Sequence, residues 1–215
     1  MPSTVNYQSL ALAGVQALSP YQPGKPIEEL ERELGITNIL KLASNENPLG
    51  TSPKALAALT RPLKALELYP DGSGYLLKEA IANKLGLQAK QITLGNGSND
   101  VLELIARAFL AQGRSAVMSE FAFAVYPIVT QAAGAELYIA KANPPEHADM
   151  PYGHNLQNLL EKISATTQLV FIANPNNPTG TWLGKEELLN FLQQVPQQVI
   201  VVIDEAYVDF GAESA

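Results

Sequence analysis

From residue 91 onward, short apolar runs alternate with stretches of helical pattern, and this alternation limits the chain to a small set of folds. The apolar runs are Ile92 to Leu94, Ala116 to Met118, Glu136 to Ala140, Leu169 to Ala173 and Val199 to Ile203. The helical stretches are Asp100 to Leu110, Val125 to Ala133, Leu156 to Ile163 and Lys185 to Gln193. Strands that are apolar at consecutive positions are typical of a parallel sheet covered by helices on both faces. The sequence therefore predicts an α/β fold with a parallel sheet.

The chain before residue 91 carries weaker signals. Residues Ser19 to Pro26 contain three prolines, which fix φ and remove N–H donors, so an extended arm is predicted there, with a frayed terminus as the alternative. Pro26 can begin a helix that ends at Leu34, before Gly35. The remaining predictions are a strand from Ile39 to Ala43, a polar loop from Ser44 to Gly50 and a helix beginning near Pro53.

Composition excludes several classes of function. The net charge is 14 − 21 = −7, and no run of Lys or Arg occurs, which argues against a nucleic-acid surface. The chain has no Cys, and its two His residues do not form a His-Glu-x-x-His pattern, so no metal site is expected. No apolar run approaches the ~20 residues that cross a bilayer, and no Lys or Arg precedes Lys25, so neither a membrane span nor a secretory signal is expected. These features predict a cytoplasmic protein with small-molecule partners.

One glycine-rich loop stands where the ligands of parallel α/β sheets bind, at the carboxyl end of a predicted strand. Its sequence is Gly-Asn-Gly-Ser-Asn-Asp, residues 95–100, and it leads into a helix. Small residues at a helix N-terminus let backbone N–H groups converge on an anion, and the Ser98 hydroxyl adds a donor. The loop predicts a phosphate cradle. The alternative is a tight turn with Ser98 or Asn99 as the N-cap.

Three later loops carry further chemistry, each with a plainer alternative. The segment Phe121 to Pro127 brings aromatic rings that can stack on a planar ligand or belong to the core. The segment Asn174 to Gly180 holds three Asn side chains beside prolines, or serves only as a turn. Asp204 follows five apolar residues, so its carboxylate needs a cationic ligand group, a salt bridge or a helix N-terminus to cap. Together the loops describe a site for a flat, phosphorylated heteroaromatic cation.

The chain resembles the fold-type I pyridoxal-phosphate-dependent aminotransferases. The matching segments, in the order of the family, are Pro20 to Pro26, Asn45 to Gly50, Leu68 to Gly72, Gly95 to Ser98, Asn174 to Gly180 and Asp204 to Tyr207. The Pro-Tyr-x-Pro-Gly-Lys-Pro arm is similar to that of the branch acting on histidinol phosphate. The resemblance implies a three-layer α/β/α large domain with a mainly parallel sheet and pyridoxal 5'-phosphate (PLP) as cofactor. It also implies transamination between histidinol phosphate and 2-oxoglutarate in histidine biosynthesis, with imidazole acetol phosphate and glutamate as products.

By position, the resemblance implies roles for the residues that hold the cofactor. Ser98, Asn99 and Asp100 would cradle its phosphate, largely through backbone N–H groups. Phe123 would stack on the pyridine ring. Asp204 would pair with the protonated ring nitrogen and keep the ring able to accept the electron pair of the substrate. Neutralising Asp204 should therefore weaken this electron sink more than cofactor binding.

The resemblance implies further contacts to the cofactor, the substrate and a second subunit. Asn177 and Tyr207 would hydrogen-bond the phenolic oxygen of the cofactor. Tyr69 would reach the cofactor phosphate of the neighbouring subunit in a homodimer, and Tyr21 and Asn47 would lie near the substrate. Charged residues make up only 16% of the chain, below the usual quarter, which is in keeping with surface covered by another chain.

The sequence departs from the family after Tyr207. The family has a Lys there, in a Ser-x-x-Lys context, which forms the Schiff base and moves the proton, whereas residues 208–215 contain no Lys. We therefore expect residues 1–43 to form the arm and a small-domain segment, and residues 44–215 to form a truncated large domain. The later strands, the Schiff-base Lys, the Arg residues for the substrate carboxylate and the carboxyl-terminal small domain would be missing, which would make the chain an inactive fragment. The alternatives are an aromatic aminotransferase or threonine-phosphate decarboxylase of the same fold, and a non-catalytic stand-alone binding module.

Overall fold

The computed structural model describes residues 6–60 and 62–211, which divide into two compact units. The first unit contains residues 6–21 and 95–211, and the second contains residues 22–94. In chain order the helices are α1 (Ala13–Gln16), α2 (Ile27–Leu34), α3 (Pro53–Thr60), α4 (Tyr75–Leu85), α5 (Ser98–Phe109), α6 (Val125–Ala132), α7 (Leu156–Lys162) and α8 (Lys185–Gln194). Short 3₁₀ turns occupy Tyr7–Leu10, Pro62–Ala65, Ala89–Gln91 and Val208–Phe210. The strands are β1 (Ser115–Ser119), β2 (Glu136–Ala140), β3 (Thr167–Ala173) and β4 (Ile200–Asp204).

The four strands form one parallel sheet in the order β2-β1-β3-β4. Between β3 and β4, Leu169 pairs with Ile200 at one end and Ala173 pairs with Asp204 at the other. The prediction of a parallel sheet is confirmed. The helices predicted after residue 98 agree with α5 to α8 within two residues at either end.

Alternate residues of the two central strands face opposite sides of the sheet and enter two separate cores. On one side, Met118 and Phe171 pack with residues of α5 and α6. On the other side, Val117 and Val170 pack with Leu159 of α7 and with residues of α8. A strand buried on both faces has no polar side to give to water, which explains its continuous apolar run. The sheet is the middle of three layers, as the resemblance implies.

The strand order places a topological switch between β1 and β3. The chain leaves β1 for β2 on one side, then returns to the other side of β1 to form β3 and β4. At such a switch the connecting loops diverge at the carboxyl edge and leave a crevice, which is where open α/β sheets bind ligands. The fold therefore marks the carboxyl ends of β1 and β3 as the expected site.

Two predicted strands are wrong for the residues that the structure describes. Ile39 to Ala43 and Ile92 to Leu94 belong to no strand ladder there. A strand needs a neighbour that satisfies its N–H and C=O groups, and no described segment pairs with either run. An apolar run predicts burial, but it does not specify a pairing partner.

The second unit contains α2 and α3, as predicted, and α4, which the sequence reasoning missed. Gly35 ends α2 in the left-handed conformation, with φ of 64°. Before α4, the Asp71 carboxylate accepts hydrogen bonds from the backbone N–H groups of Ser73 (2.9 Å) and Tyr75 (2.8 Å). The Ser73 hydroxyl and these N–H groups lower the pKa of Asp71. The segment Ser19 to Pro26, predicted as an extended arm, has neither helix nor strand.

A buried histidine gives the fold a pH dependence. His154 is 3% exposed, and its Nε2 lies 2.8 Å from the carbonyl oxygen of Ala173 at the end of β3. Nε2 must donate to that carbonyl, which leaves Nδ1 as a buried acceptor with no partner in the described part of the chain. Burial lowers the pKa of His154, although the bond to Ala173 opposes this. The fold therefore favours the neutral imidazole.

We expect the free energy of unfolding to decrease as the pH falls below about 6.5, the ordinary pKa of histidine. The unfolded chain binds a proton at His154 more readily than the folded chain, so the slope reaches up to about 1.4 kcal/mol per pH unit. Urea unfolding at pH 7.5 and 5.5 measures this loss. In His154→Gln, whose amide can also donate to Ala173, the loss should be smaller; equal losses in both proteins would contradict the assignment. The Asp71 and Glu120 carboxyls, whose pKa values are lowered, titrate below this window.

Candidate functional site

One cavity lies at the carboxyl edge of the sheet, at the switch between β1 and β3. Its walls come from loops that follow three strands and from the start of α5. The lining residues are Ser98, Phe123, Ala173, Pro175, Asn177, Asp204, Ala206 and Tyr207. Five of these are residues that the sequence analysis proposed for a cofactor site, although they lie far apart in the chain.

The N-terminus of α5 forms one side of the cavity. Gly97 is the N-cap, with φ of 78° and ψ of 179°, a conformation that is essentially restricted to glycine. Ser98 begins the helix and lines the cavity, so Ser98, Asn99 and Asp100 occupy its first turn. The first N–H groups of a helix have no acceptor within it and carry a partial positive charge. The alternative of Ser98 or Asn99 as N-cap is wrong, because Gly97 takes that position.

The loop before α5 is held in shape by its own residues. The Asp100 carboxylate accepts a hydrogen bond from the backbone N–H of Asn96 at 2.9 Å, so this acid is bonded back to the loop. A Cβ on Gly95 would lie 2.8 Å from the Cβ of Asp100 and 3.0 Å from the Val101 side chain. Only glycine fits there, which gives a structural reason for both glycines of the motif.

A column of three aromatic rings connects the cavity to the core. Phe123 lines the cavity and meets Tyr126 edge to face, with ring centroids 5.8 Å apart and planes at 85°. Tyr126 stacks parallel to Phe171 of β3, with centroids 4.8 Å apart and planes at 6°. Such contacts contribute about 0.5–1.5 kcal/mol beyond buried area and fix the orientation of the rings. The loop predicted as an aromatic platform therefore supplies one ring to the cavity and another to the core.

The Asn-Pro loop after β3 contains three Asn side chains, of which two form hydrogen bonds within the fold and one lines the cavity. Asn174 exchanges two hydrogen bonds with the backbone of Leu183, at 3.1 and 2.7 Å. The amide nitrogen of Asn176 donates to the carbonyl of Phe121 (2.8 Å) and to the hydroxyl of Thr179 (2.7 Å). Asn177 lines the cavity, and its side chain has no hydrogen bond in the described part of the chain. Two amides therefore build the loop, and the third is available to a ligand.

Asp204 ends β4, and its negatively charged side chain lines the cavity, whereas the start of α5 carries a partial positive charge. Its Oδ2 accepts a hydrogen bond from the Tyr126 hydroxyl at 2.9 Å, and its Oδ1 accepts one from the backbone N–H of Ala206 at 3.2 Å. No ion pair and no helix cap involves Asp204 within residues 6–60 and 62–211. The two plainer alternatives from the sequence are therefore wrong. Each oxygen retains a lone pair for a ligand donor.

The other predicted site residues have different positions. Tyr207 lines the cavity beside Asp204, and its ring lies 6.4 Å from that of Phe210. Tyr69 lies in the second unit and is 100% exposed. Tyr21 is half exposed, and Asn47 bonds to the backbone of its own loop at Leu49 and Gly50. None of these last three lines the cavity.

Sequence reasoning missed Tyr126 as a part of the site. The residue is fully buried and does not line the cavity, yet it bonds directly to Asp204. Burial, the Asp204 charge and the hydrogen bond to Asp204 raise the pKa of the Tyr126 phenol, so it stays protonated and can donate. The sequence did contain a signal for this role. Tyr126 is the one residue with a hydroxyl in the aromatic segment Phe121 to Pro127, and a buried Tyr needs a polar partner.

The groups that line this cavity fit one kind of ligand. A helix N-terminus suits a phosphate, an aromatic face suits a planar ring, and a carboxylate suits a protonated ring nitrogen. Asn177 and Tyr207 add groups that can hydrogen-bond a ring substituent. The residues present therefore match a flat, phosphorylated heteroaromatic cation, the class of ligand predicted from the loops.

A parallel α/β sheet with these groups at its switch point defines a class of protein that binds such a cation at the carboxyl edge of the sheet. Comparison with protein families assigns the class more closely. Residues 37–215 match the family model described as aminotransferase class I and II. The chain belongs to this family.

Individual relatives agree with this assignment. The chain is 58% identical over 203 residues to histidinol-phosphate aminotransferase 2 of Methylococcus capsulatus, covering 94% of this chain and 54% of that protein. It is 57% identical over 211 residues to the protein of the same name from Pseudomonas fluorescens, covering 97% and 55%. The chain therefore spans about half the length of the curated relatives it matches.

A solved structure shows the same fold. The histidinol-phosphate aminotransferase of Sinorhizobium meliloti, in complex with pyridoxal 5'-phosphate, superposes with a TM-score of 0.80 at 27% identity. The match covers 92% of this chain and 51% of that one. Fold-type I is thereby confirmed. Among the residues described, no helix has the length and apolar character to cross a bilayer, and no group of three or more His, Asp or Glu side chains could hold a metal ion.

Proposed function

We propose that this chain binds pyridoxal 5'-phosphate and forms the cofactor-binding part of a histidinol-phosphate aminotransferase. The observation that carries the proposal is that Asp204, Ser98 and Phe123 line the wall of one cavity. A carboxylate and a helix N-terminus are the two charged partners that the cofactor needs at its opposite ends. The names of the relatives at 58% and 57% identity support the substrate assignment.

The residues divide the work of holding the cofactor. The first turn of α5, with Ser98, Asn99 and Asp100, takes the phosphate through backbone N–H groups. Phe123 covers one face of the ring, and Asp204 holds the proton on the ring nitrogen. When bound, the cofactor accepts the electron pair that remains on the substrate carbon after proton removal.

The remaining contacts concern the phenolic oxygen, the substrate and a second subunit. Asn177 and Tyr207 donate to the phenolic oxygen. Tyr69 serves the neighbouring site in a homodimer, and Tyr21 and Asn47 lie near the substrate. Full exposure of the Tyr69 side chain is compatible with a contact outside its own chain.

The reaction of the whole enzyme is the second part of the proposal. It transfers the amino group between histidinol phosphate and 2-oxoglutarate in histidine biosynthesis, in the cytoplasm. The 215-residue chain alone does not catalyse it, because no lysine lines the described cavity and the reaction needs one beside the cofactor. In this assignment residues 44–215 belong to the large domain, and residues 1–43 to the arm and small domain.

Titration of the 215-residue chain with PLP, followed by absorbance, tests the cofactor site. We expect saturable binding of one equivalent, and binding at least about tenfold weaker for pyridoxal, which lacks the phosphate that α5 would hold. Borohydride treatment should give no stoichiometric adduct with a lysine. Absence of saturable binding would contradict the cofactor site, and an adduct at one defined Lys would contradict the claim of inactivity.

The substrate is tested on the complete product of the coding DNA, read on both sides of the segment for residues 1–215. Histidinol phosphate should be the preferred amino donor over phenylalanine, and threonine phosphate should not be decarboxylated. Preference for phenylalanine, or release of carbon dioxide from threonine phosphate, would assign the enzyme to one of the other two activities of this fold.

A further inference from the structure

The contact between Tyr126 and Asp204 links the core to the charged wall of the cavity. The two residues are 78 positions apart in the chain, and the hydroxyl lies 2.9 Å from Oδ2 of the carboxylate. Tyr126 itself is fully buried, so a ligand in the cavity cannot reach it. Its hydroxyl therefore acts on a ligand only through Asp204.

The phenol is held more firmly than the carboxylate to which it donates. Its ring lies between Phe123 and Phe171, edge to face with one and parallel to the other. Its backbone belongs to α6, and its carbonyl accepts a hydrogen bond from the Thr130 hydroxyl at 2.8 Å. Asp204 is the last residue of β4, at the half-buried edge of the sheet. The more tightly packed phenol therefore determines the orientation of the carboxylate.

The second bond of Asp204 cannot set this orientation alone. The backbone N–H of Ala206 lies 3.2 Å from Oδ1, a longer contact within the loop that follows the strand. A carboxylate bonded at only one oxygen can still rotate about its side-chain torsions. Bonded at both oxygens, it presents its remaining lone pairs in one direction.

We propose that Tyr126 is a positioning residue for the cofactor site: its hydroxyl holds the Asp204 carboxylate in the one orientation that receives the N–H of a protonated pyridine ring. The inference rests on the proposed function and deepens it. Pre-orienting a charged acceptor removes the cost of ordering it when the ligand binds. Because burial and the Asp204 charge raise the pKa of the phenol, the donor is present throughout the pH range in which enzymes operate.

The test compares PLP affinity in four forms of the 215-residue chain: wild type, Tyr126→Phe, Asp204→Asn and the double variant. Loss of the hydroxyl should weaken binding about fivefold in the wild-type background, as expected for a hydrogen bond to a charged group that acts indirectly. In the Asp204→Asn background the same change should alter binding by less than about twofold, because the carboxylate it positions is absent. Equal losses in both backgrounds would overturn the proposal.

Tyr138→Phe is the matched control. It removes a phenol that also donates to a carboxylate, Glu136 Oε2 at 2.6 Å, but it lies on β2 and does not line the cavity. Its PLP affinity should equal that of wild type. A loss as large as that of Tyr126→Phe would mean that the effect is general to the fold.

Two spectroscopic and structural measurements separate positioning from simple stabilisation. The ¹⁵N resonance of ring-labelled PLP should move in Tyr126→Phe toward the position found in Asp204→Asn, since both variants weaken the hold on the ring proton. In a crystal structure of unliganded Tyr126→Phe, the Asp204 carboxylate should leave its wild-type rotamer or occupy more than one. An unchanged single rotamer overturns the positioning role even if PLP binding by the wild-type chain fails, whereas failed binding alone contradicts the proposed function.

Discussion

Replacing Asp204 with Asn is expected to lower the transamination rate of the complete aminotransferase about a thousandfold, while PLP affinity falls only about tenfold. The amide is nearly the same size, and its single oxygen can still accept from either Tyr126 or Ala206, which donate to different oxygens of the carboxylate. The amide carries no charge to keep the pyridine nitrogen of PLP protonated. The variant should therefore lose more of the electron-accepting ability of the pyridine ring than of the affinity for PLP. Single-turnover rates and PLP titrations of the two proteins measure the split.

The control for this prediction is Asp149→Asn, which removes the same charge from an exposed turn. It should leave both quantities unchanged. If Asp204→Asn lost affinity and rate in equal proportion, the carboxylate would be serving only to hold the ligand, and its proposed electronic role would be wrong.

Replacing Phe171 with Ala is expected to cost about 3–5 kcal/mol of folding free energy. The ring is fully buried in β3, stacks on Tyr126 and belongs to the core shared by β1, β3, α5 and α6. Domains of this size are stable by only about 5–15 kcal/mol, so the variant approaches the limit at which the chain unfolds. Urea unfolding followed by circular dichroism measures the loss.

Phe210→Ala is the matched comparison for this loss of stability. Phe210 is 84% exposed, so removing its ring should change the stability by no more than about 0.5 kcal/mol. Similar losses at positions 171 and 210 would mean that the two-core description of the sheet is wrong.

The parts of the fold that could be predicted are those whose signal is local. The run Leu169 to Ala173 identifies β3 because a strand buried on both faces must be apolar throughout. The same kind of signal gave a wrong strand prediction at Ile92 to Leu94, because apolar character does not determine whether a neighbouring strand is present to pair with. Helix α4 was missed because its first residues, Tyr75, Leu76 and Leu77, are consecutive apolar residues that remain exposed and show no helical period.

The sequence could predict several residues that line the site, but not the hydrogen bond that joins Asp204 to the core. The sequence predicted that Ser98, Phe123, Asn177 and Asp204 would meet, because parallel strands bring their carboxyl ends to one edge, although the loop before Ser98 follows no strand in the described structure. The bond from Tyr126 to Asp204 depends on how α6 lies on the sheet and on the pairing of β3 with β4. Neither is encoded in a short motif, so a contact between residues 78 positions apart needed the structure.

Asp204 belongs to two systems at once. It pairs with Ala173 as the last rung between β3 and β4, where its carbonyl accepts the backbone N–H of Asn174 at 2.9 Å, and its side chain forms a wall of the cavity. Strand ends fray more readily than strand centres. A ligand bound to the Asp204 carboxylate therefore also stabilises the pairing of Ala173 with Asp204, and its binding free energy adds to the stability of the sheet. With PLP as that ligand, binding of the cofactor and pairing of the strand ends stabilise each other. Protection of the Asn174 backbone N–H from hydrogen exchange should then increase with the fraction of cavities that are occupied.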